Sequence, residues 1–122
     1  MVIKMEEYKI VEKPWGREVW VEENEKYICR ILHLKKDCAV SLQYHKHKLE
    51  TLYVISGKAT YIFQRPGEEK ITRTIGPGDI LNHKPYEVHR EIAIEDTVLF
   101  EVCTPEIDDI IRLEDSYGRE NK

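Results

Sequence analysis

The chain has 122 residues, 41% hydrophobic and 34% charged, with 23 acidic side chains against 19 basic ones and a formal net charge of −4. That length predicts a single domain over 1–122, with its core at about 13–119. Such a domain buries roughly two-thirds of the surface of its unfolded chain, which excludes a large multi-step enzyme. The acidic balance and the lack of any Lys/Arg block exclude a nucleic-acid groove, no apolar run nears the ~20 residues that span a bilayer, and charges interrupt MVIKMEEYKI where a secretory signal needs an apolar core. The expectation is a soluble cytoplasmic protein with no nucleic-acid or membrane partner. Cys29, Cys38 and Cys103 form neither a CxxC pair nor an even set, and read as buried thiols.

In chain order, short segments rich in Val, Ile, Tyr and Thr recur between turn signals, and helical periodicity is nearly absent. Strands are predicted at Glu18 to Val21, Tyr27 to Leu34, Ala39 to Tyr44, Thr51 to Ser56, Ala59 to Gln64, Lys70 to Ile75, Asp79 to Asn82 and Val98 to Cys103. Ser56-Gly57, Pro66-Gly67 and Gly76-Pro77-Gly78-Asp79 supply the turns between them. This regular spacing predicts an all-β sandwich or small barrel. One short C-terminal helix or turn is expected over Glu106 to Leu113, where early Asp108 and Asp109 and late Arg112 suit a helix dipole. The charged ends, Met1 to Glu7 and Glu120 to Lys122, are expected to fray.

Four of the five histidines lie in or near HKHKLE at 45 to 50 and NHKPYEVH at 82 to 89. Residues two apart on a strand share a face, so His45 and His47 could point together at one metal ion. A turn at Lys48 and Leu49 would switch the inward face and bring Glu50, Leu52 and Val54 inside, and a neighbouring strand could deliver His89. Three imidazoles and one carboxylate suit Zn, Fe, Mn, Ni or Co, with positions left open for water or substrate. By itself the H-x-H spacing favours solvated strand histidines with Glu50 as a surface charge.

The same spacing, H-x-H, then Glu50, then Gly57, then PGD and a later histidine, resembles the two cupin motifs. The resemblance implies a double-stranded β-helix, or jelly roll, that holds one divalent transition metal, Zn first, on His45, His47, Glu50 and His89. It extends from Lys13 to Arg119: KPWG at 13 to 16, SLQYHKHKLE at 41 to 50, VISGKA at 54 to 59 and DDIIRLEDSYGR at 108 to 119 are similar to the cupin of type II mannose-6-phosphate isomerases. In that family the cupin often follows a nucleotidyltransferase domain, which this chain is expected to lack. The implied activity is interconversion of mannose 6-phosphate and fructose 6-phosphate. Where the family pattern has arginine and then Ala-Glu-His-Trp after the second histidine, this chain has Lys48-Leu49-Glu50-Thr51-Leu52.

Aldose-ketose isomerisation needs a base, an electrophile and a phosphate clamp. Glu101, interrupting the apolar run VLFEVC, is the candidate base, with Tyr61, His33 and His83 as alternatives. Arg112, Arg119, Arg30, Lys48 and Arg90 are candidates for the phosphate, and Gln43, two before His45, would share its inward face toward substrate. A non-catalytic sugar-phosphate-binding cupin and an iron-dependent dioxygenase are the other readings of the same ligand set. Tyr53 and Ile55 face opposite to Leu52 and Val54, so this strand is apolar on both sides. A homodimer, or the N-terminal segment around Trp15 and Trp20, is expected to cover the second face.

Overall fold

The computed structural model describes residues 9–119; the two ends expected to fray lie outside the described residues. Eleven strands follow in order: β1 (Lys9–Lys13), β2 (Gly16–Glu23), β3 (Ile28–Leu34), β4 (Leu42–Tyr44), β5 (Glu50–Ser56), β6 (Ala59–Gln64), β7 (Ile71–Ile75), β8 (Ile80–His83), β9 (Val88–Ala93), β10 (Thr97–Cys103) and β11 (Ile111–Glu114). They form a six-stranded sheet, β1-β2-β3-β10-β5-β8, and a five-stranded sheet, β11-β4-β9-β6-β7. All pairings are antiparallel. From β3 onward the chain passes back and forth between the two sheets, as a jelly roll requires.

Alternation sends one residue of every second position inward. Leu32 and Leu34 of β3, Leu52 and Val54 of β5, Ala59 of β6, Ile75 of β7, Leu81 of β8, Ala93 of β9 and Leu99 of β10 meet Trp15 and Val40 in one buried cluster. Each large aliphatic side chain there contributes about 1.5–3 kcal/mol of burial. Two glycines of the resembling segments are fixed by close approach. A Cβ on Gly16 would lie 1.8 Å from the His33 carbonyl oxygen, and one on Gly57, at φ 93°, would lie 2.3 Å from that of Asp96.

Three expectations are corrected. Of the helix or turn expected over Glu106 to Leu113, the turn is found at 106–110, no helix occurs among the described residues, and the correction falls on 111–113, which belong to the strand Ile111–Glu114 pairing Ile111 with Tyr44 and Arg112 with Gln43. The aspartates that imitated a helix start include Asp109, which accepts backbone amides from the loop after β4. The strand predicted at Ala39 begins only at Leu42, Ala39 making an isolated bridge to Ile92. Finally, Trp15 is buried in the core and Trp20 lies on β2 within the six-stranded sheet, so neither covers that sheet's outer face. There Tyr53 and Ile55 are 46% and 47% exposed. Cys29 and Cys103 are buried free thiols as expected, while Cys38 is half-buried.

Candidate metal centre

The inward residues change character along the barrel. Glu50 opens β5, opposite His83 of β8 and Cys103 of β10. His89 of β9 stands opposite Gln43 of β4, and His45 follows just beyond the end of β4. All of Glu50, His83, His89 and His45 are buried. Ligand atoms of His45, Glu50 and His89 lie within 4.8 Å of one another.

The hydrogen bonds of these imidazoles assign their tautomers. His45 Nδ1 lies 2.6 Å from the Asp109 carbonyl and His89 Nδ1 lies 3.1 Å from the Glu87 carbonyl. A carbonyl only accepts, so in each neutral ring Nδ1 carries the hydrogen and Nε2 carries the lone pair. Both lone pairs face Glu50 Oε1, at 3.4 and 2.9 Å. Neither Nε2 makes a hydrogen bond among the described residues. Three electron-rich atoms pressed together in a buried site call for a cation between them, and carbonyl-oriented histidines with a carboxylate are a donor set that zinc or another divalent transition metal accepts.

His47 is not part of this set. It is exposed, while Lys48 is buried with Nζ 3.2 Å from Glu50 Oε2. The expectation that His45 and His47 share a face assumed a strand through both. β4 ends at Tyr44, and the amides of Lys46, His47 and Lys48 turn toward the Asp109 carboxylate at 3.0, 2.6 and 2.9 Å. Against its desolvation, these amides hold Asp109 down at about 2.

A second layer surrounds the first. His83 Nδ1 donates to Glu50 Oε1 at 2.7 Å, which leaves His83 Nε2 to accept from the Tyr61 hydroxyl at 2.6 Å. Its ring stacks on His89 with centroids 3.6 Å apart. Burial, then the neighbouring His89, push His83 down to about 4. Burial alone would raise Glu50, but without a metal the imidazoles of His45, His83 and His89, in their protonated forms, hold it well below the usual carboxylate range. His89 is raised by Glu50 in spite of its burial. Sequence reasoning gave His83 only a minor place, as an alternative base; the clue available was its position at the inward end of the I-L-N-H strand.

Glu101 faces inward and is 4% exposed. Arg30 Nε donates to its Oε1 at 2.8 Å, Arg30 Nη2 donates to the same oxygen, and Cys103 Sγ lies 3.7 Å away. Arg30 also reaches Glu18 at 3.0 Å. Burial and the charge of Glu50 raise Glu101, with Arg30 and Lys48 opposing. Glu91 is pushed up to about 7 by burial, with Glu50 and Glu101 adding to the rise and His89 opposing it. Lys48 is raised by Glu50 and Glu101 despite burial.

These groups line a cavity of about 630 Å³ that also includes Gln43, Arg112, Arg119 and Trp20. Its buried walls carry four carboxylates, Glu18, Glu50, Glu91 and Glu101, against two cations, Arg30 and Lys48. Gln43 Oε1 has no hydrogen-bond partner among the described residues. Arg119 is held by Asp115 at 2.8 and 3.0 Å. Five sequence candidates do not line the cavity: Arg90 bonds Val40 O and Ser116 Oγ, His33 stands opposite Arg17 and Val98 on the outer face, His47 is exposed, and His83 and Tyr61 are linked to Glu50 by hydrogen bonds.

Eleven strands in two alternating sheets around an inward His/Glu cluster define a cupin, a double-stranded β-helix protein. Solved structures agree on the fold. The capsular polysaccharide assembling protein CapF from Staphylococcus aureus matches with a TM-score of 0.72 at 16% identity, over 90% of this chain and 33% of that one. An oxalate decarboxylase from Bacillus subtilis matches at 0.72 and 20% identity, over 87% and 30%. An uncharacterized double-stranded β-helix protein from Klebsiella pneumoniae matches at 0.66 and 26% identity, over 80% and 83%. The chain thus spans about a third of the length of CapF and of the decarboxylase. No curated protein matches it. The model of the family "Mannose-6-phosphate isomerase C-terminal" matches residues 3–75, more than half of the chain, and the chain belongs to that family.

Proposed function

We propose that this cupin is a metal-dependent sugar-phosphate isomerase interconverting mannose 6-phosphate and fructose 6-phosphate. The observation that carries the reading is the pair of Nε2 lone pairs on His45 and His89 converging on Glu50 inside a cavity that also holds protonatable carboxylates. A divalent metal on His45, Glu50 and His89 would supply a Lewis acid for the sugar's carbonyl and hydroxyl oxygens.

Glu101 is the base of this reading. All of its contacts fall on Oε1, so Oε2 is the oxygen left to take the proton from C2 of the aldose and return it to C1 through an enediol. Lys48, fixed as a buried cation, and Gln43, with an unpartnered oxygen, would orient the sugar hydroxyls. Arg112 and Arg119, lining the same cavity from the C-terminal segment, would hold the phosphate. Of the two departures, Thr51 falls away from this chemistry, exposed and bonded to Asn82, whereas Leu52, a member of the apolar cluster, also lines the cavity as an apolar wall.

The test is turnover of mannose 6-phosphate by metal-reconstituted protein, with Glu101→Gln expected to lose on the order of 10²- to 10⁴-fold in kcat. Binding of hexose 6-phosphates without turnover would replace the isomerase with a non-catalytic binding cupin; neither binding nor turnover would refute both. The donor set of two histidines and one carboxylate also favours a second reading, an iron-dependent dioxygenase. Oxygen uptake by the Fe(II) form with small organic substrates tests it.

Homodimerisation belongs to the same proposal. Ile80, Tyr53, Phe100, Ile31, Val19 and Ile10 stand opposite one another across all six strands of the larger sheet, on its outer face. At about 4.8 Å between strands the row is roughly 24 Å long, a span suited to an interface of about 800 Å² per partner. Sedimentation should give a dimer that Tyr53→Glu dissociates; a stable wild-type monomer would refute it.

A further inference from the structure

We propose that Asp109 is the positioning residue of the metal centre: it folds the loop at 45–48 and aims His45 at the metal. The proposal rests on reading the site as a metal centre, and it assigns a role to a residue 64 positions away in sequence from the ligand it orients.

One residue makes four contacts with four successive residues. Its backbone carbonyl accepts from His45 Nδ1 at 2.6 Å, its Oδ1 from Lys46 N at 3.0 Å, and its Oδ2 from His47 N at 2.6 Å and Lys48 N at 2.9 Å. Three consecutive amides pointing the same way form a concave anion nest, which a strand cannot build because its amides alternate. The carboxylate therefore dictates that the chain leave the β4 direction after Tyr44. That turn sends His47 outward and brings the Lys48 side chain inward to Glu50 Oε2. The carbonyl of the same residue selects the His45 tautomer whose lone pair faces Glu50.

β11 supplies the leverage. Pairing of Ile111 with Tyr44 and of Arg112 with Gln43 holds the segment just after Asp109 against β4, at the point where the loop departs. His89 offers an internal comparison, because its Nδ1 is fixed by Glu87 O, just before its own strand, and does not depend on Asp109.

The experiment compares wild type, Asp109→Asn, Asp109→Ala and, as a control, Asp108→Asn. Zinc affinity is measured by competition with a chelating dye, and histidine tautomers by ¹⁵N NMR of the metal-free protein. Asparagine keeps the shape and the backbone carbonyl but loses the charge and one acceptor. Asp109→Asn should weaken zinc binding about 10- to 100-fold and mix the His45 tautomers, leaving the His89 tautomer unchanged; Asp108→Asn should do neither. An Asp109→Asn protein with wild-type zinc affinity and an unmixed His45 tautomer overturns the proposal, as does equal disturbance of His45 and His89. If Asp109→Ala does not fold, Asp109→Asn decides. If wild type takes up no zinc, the metal reading fails, while the His45 against His89 comparison still decides the role of Asp109.

Discussion

The two ends of this barrel are built from the same strands and do opposite things. β5 gives Val54 to the apolar cluster and Glu50 to the cavity, with Leu52 on the boundary between them; β10 gives Glu101 to the cavity and Leu99 to that boundary; β9 gives Ala93 to the cluster and His89 and Glu91 to the cavity. At the apolar end buried side chains find partners by packing alone. At the polar end two imidazole nitrogens and the Gln43 oxygen are buried without a hydrogen-bond partner among the described residues, and four carboxylates are crowded into one cavity. The difference teaches that the apolar half holds the fold while the polar half stores unsatisfied chemistry, which only a ligand from outside relieves.

That division is open to attack from both ends. The largest effect is expected from Leu81→Ala, buried in the cluster and clear of the cavity lining, which should cost about 2–5 kcal/mol in denaturant unfolding. Metal affinity should stay unchanged in the folded fraction, and a large loss of affinity would show that the halves are not separable.

A smaller effect, visible only through pH, is expected at Glu91. Its carboxyl is pushed up to about 7 from an ordinary 4.5, so the folded protein binds a proton that the unfolded chain releases. The stability contributed is fully present below about pH 4.5 and is lost as pH rises through 7. Metal-free wild type, compared with Glu91→Gln, should therefore lose relative stability between about pH 5 and pH 8. A difference that stays flat would mean that burial does not hold a proton on Glu91. The smallest effect is expected of Tyr61→Phe, which removes only the hydroxyl on His83 Nε2; a loss of roughly 1 kcal/mol in metal affinity is expected from competition titration, and no change would leave the Tyr61–His83–Glu50 chain without consequence for the metal.

Much of this was legible from residues alone. Strand parity after a turn placed Glu50, Leu52 and Val54 inside, the apolar run around Glu101 placed that carboxylate inside, and the spacing from Glu50 to Gly57 marked the fold. What failed shares one physical cause, dependence on distant partners. His47 was misplaced because the loop geometry is set by Asp109, 62 residues away. β11 resembled a helix because Asp109 reads locally as a dipole-matching charge, whereas its carboxylate serves another element. β9 carries Arg90 and Glu91 among its apolar residues, and a buried Glu91 makes sense only beside the cavity it lines.

The central claim is that the metal sits on His45, Glu50 and His89, and not on His47. Zinc titration of wild type, His45→Ala and His47→Ala, each purified without a histidine tag, tests it most directly. The account predicts one zinc per chain in wild type, the same affinity within about twofold in His47→Ala, and a loss of about 100-fold or more in His45→Ala, which is about 2.8 kcal/mol or more of binding free energy. Zinc binding that survives His45→Ala and disappears in His47→Ala would contradict it.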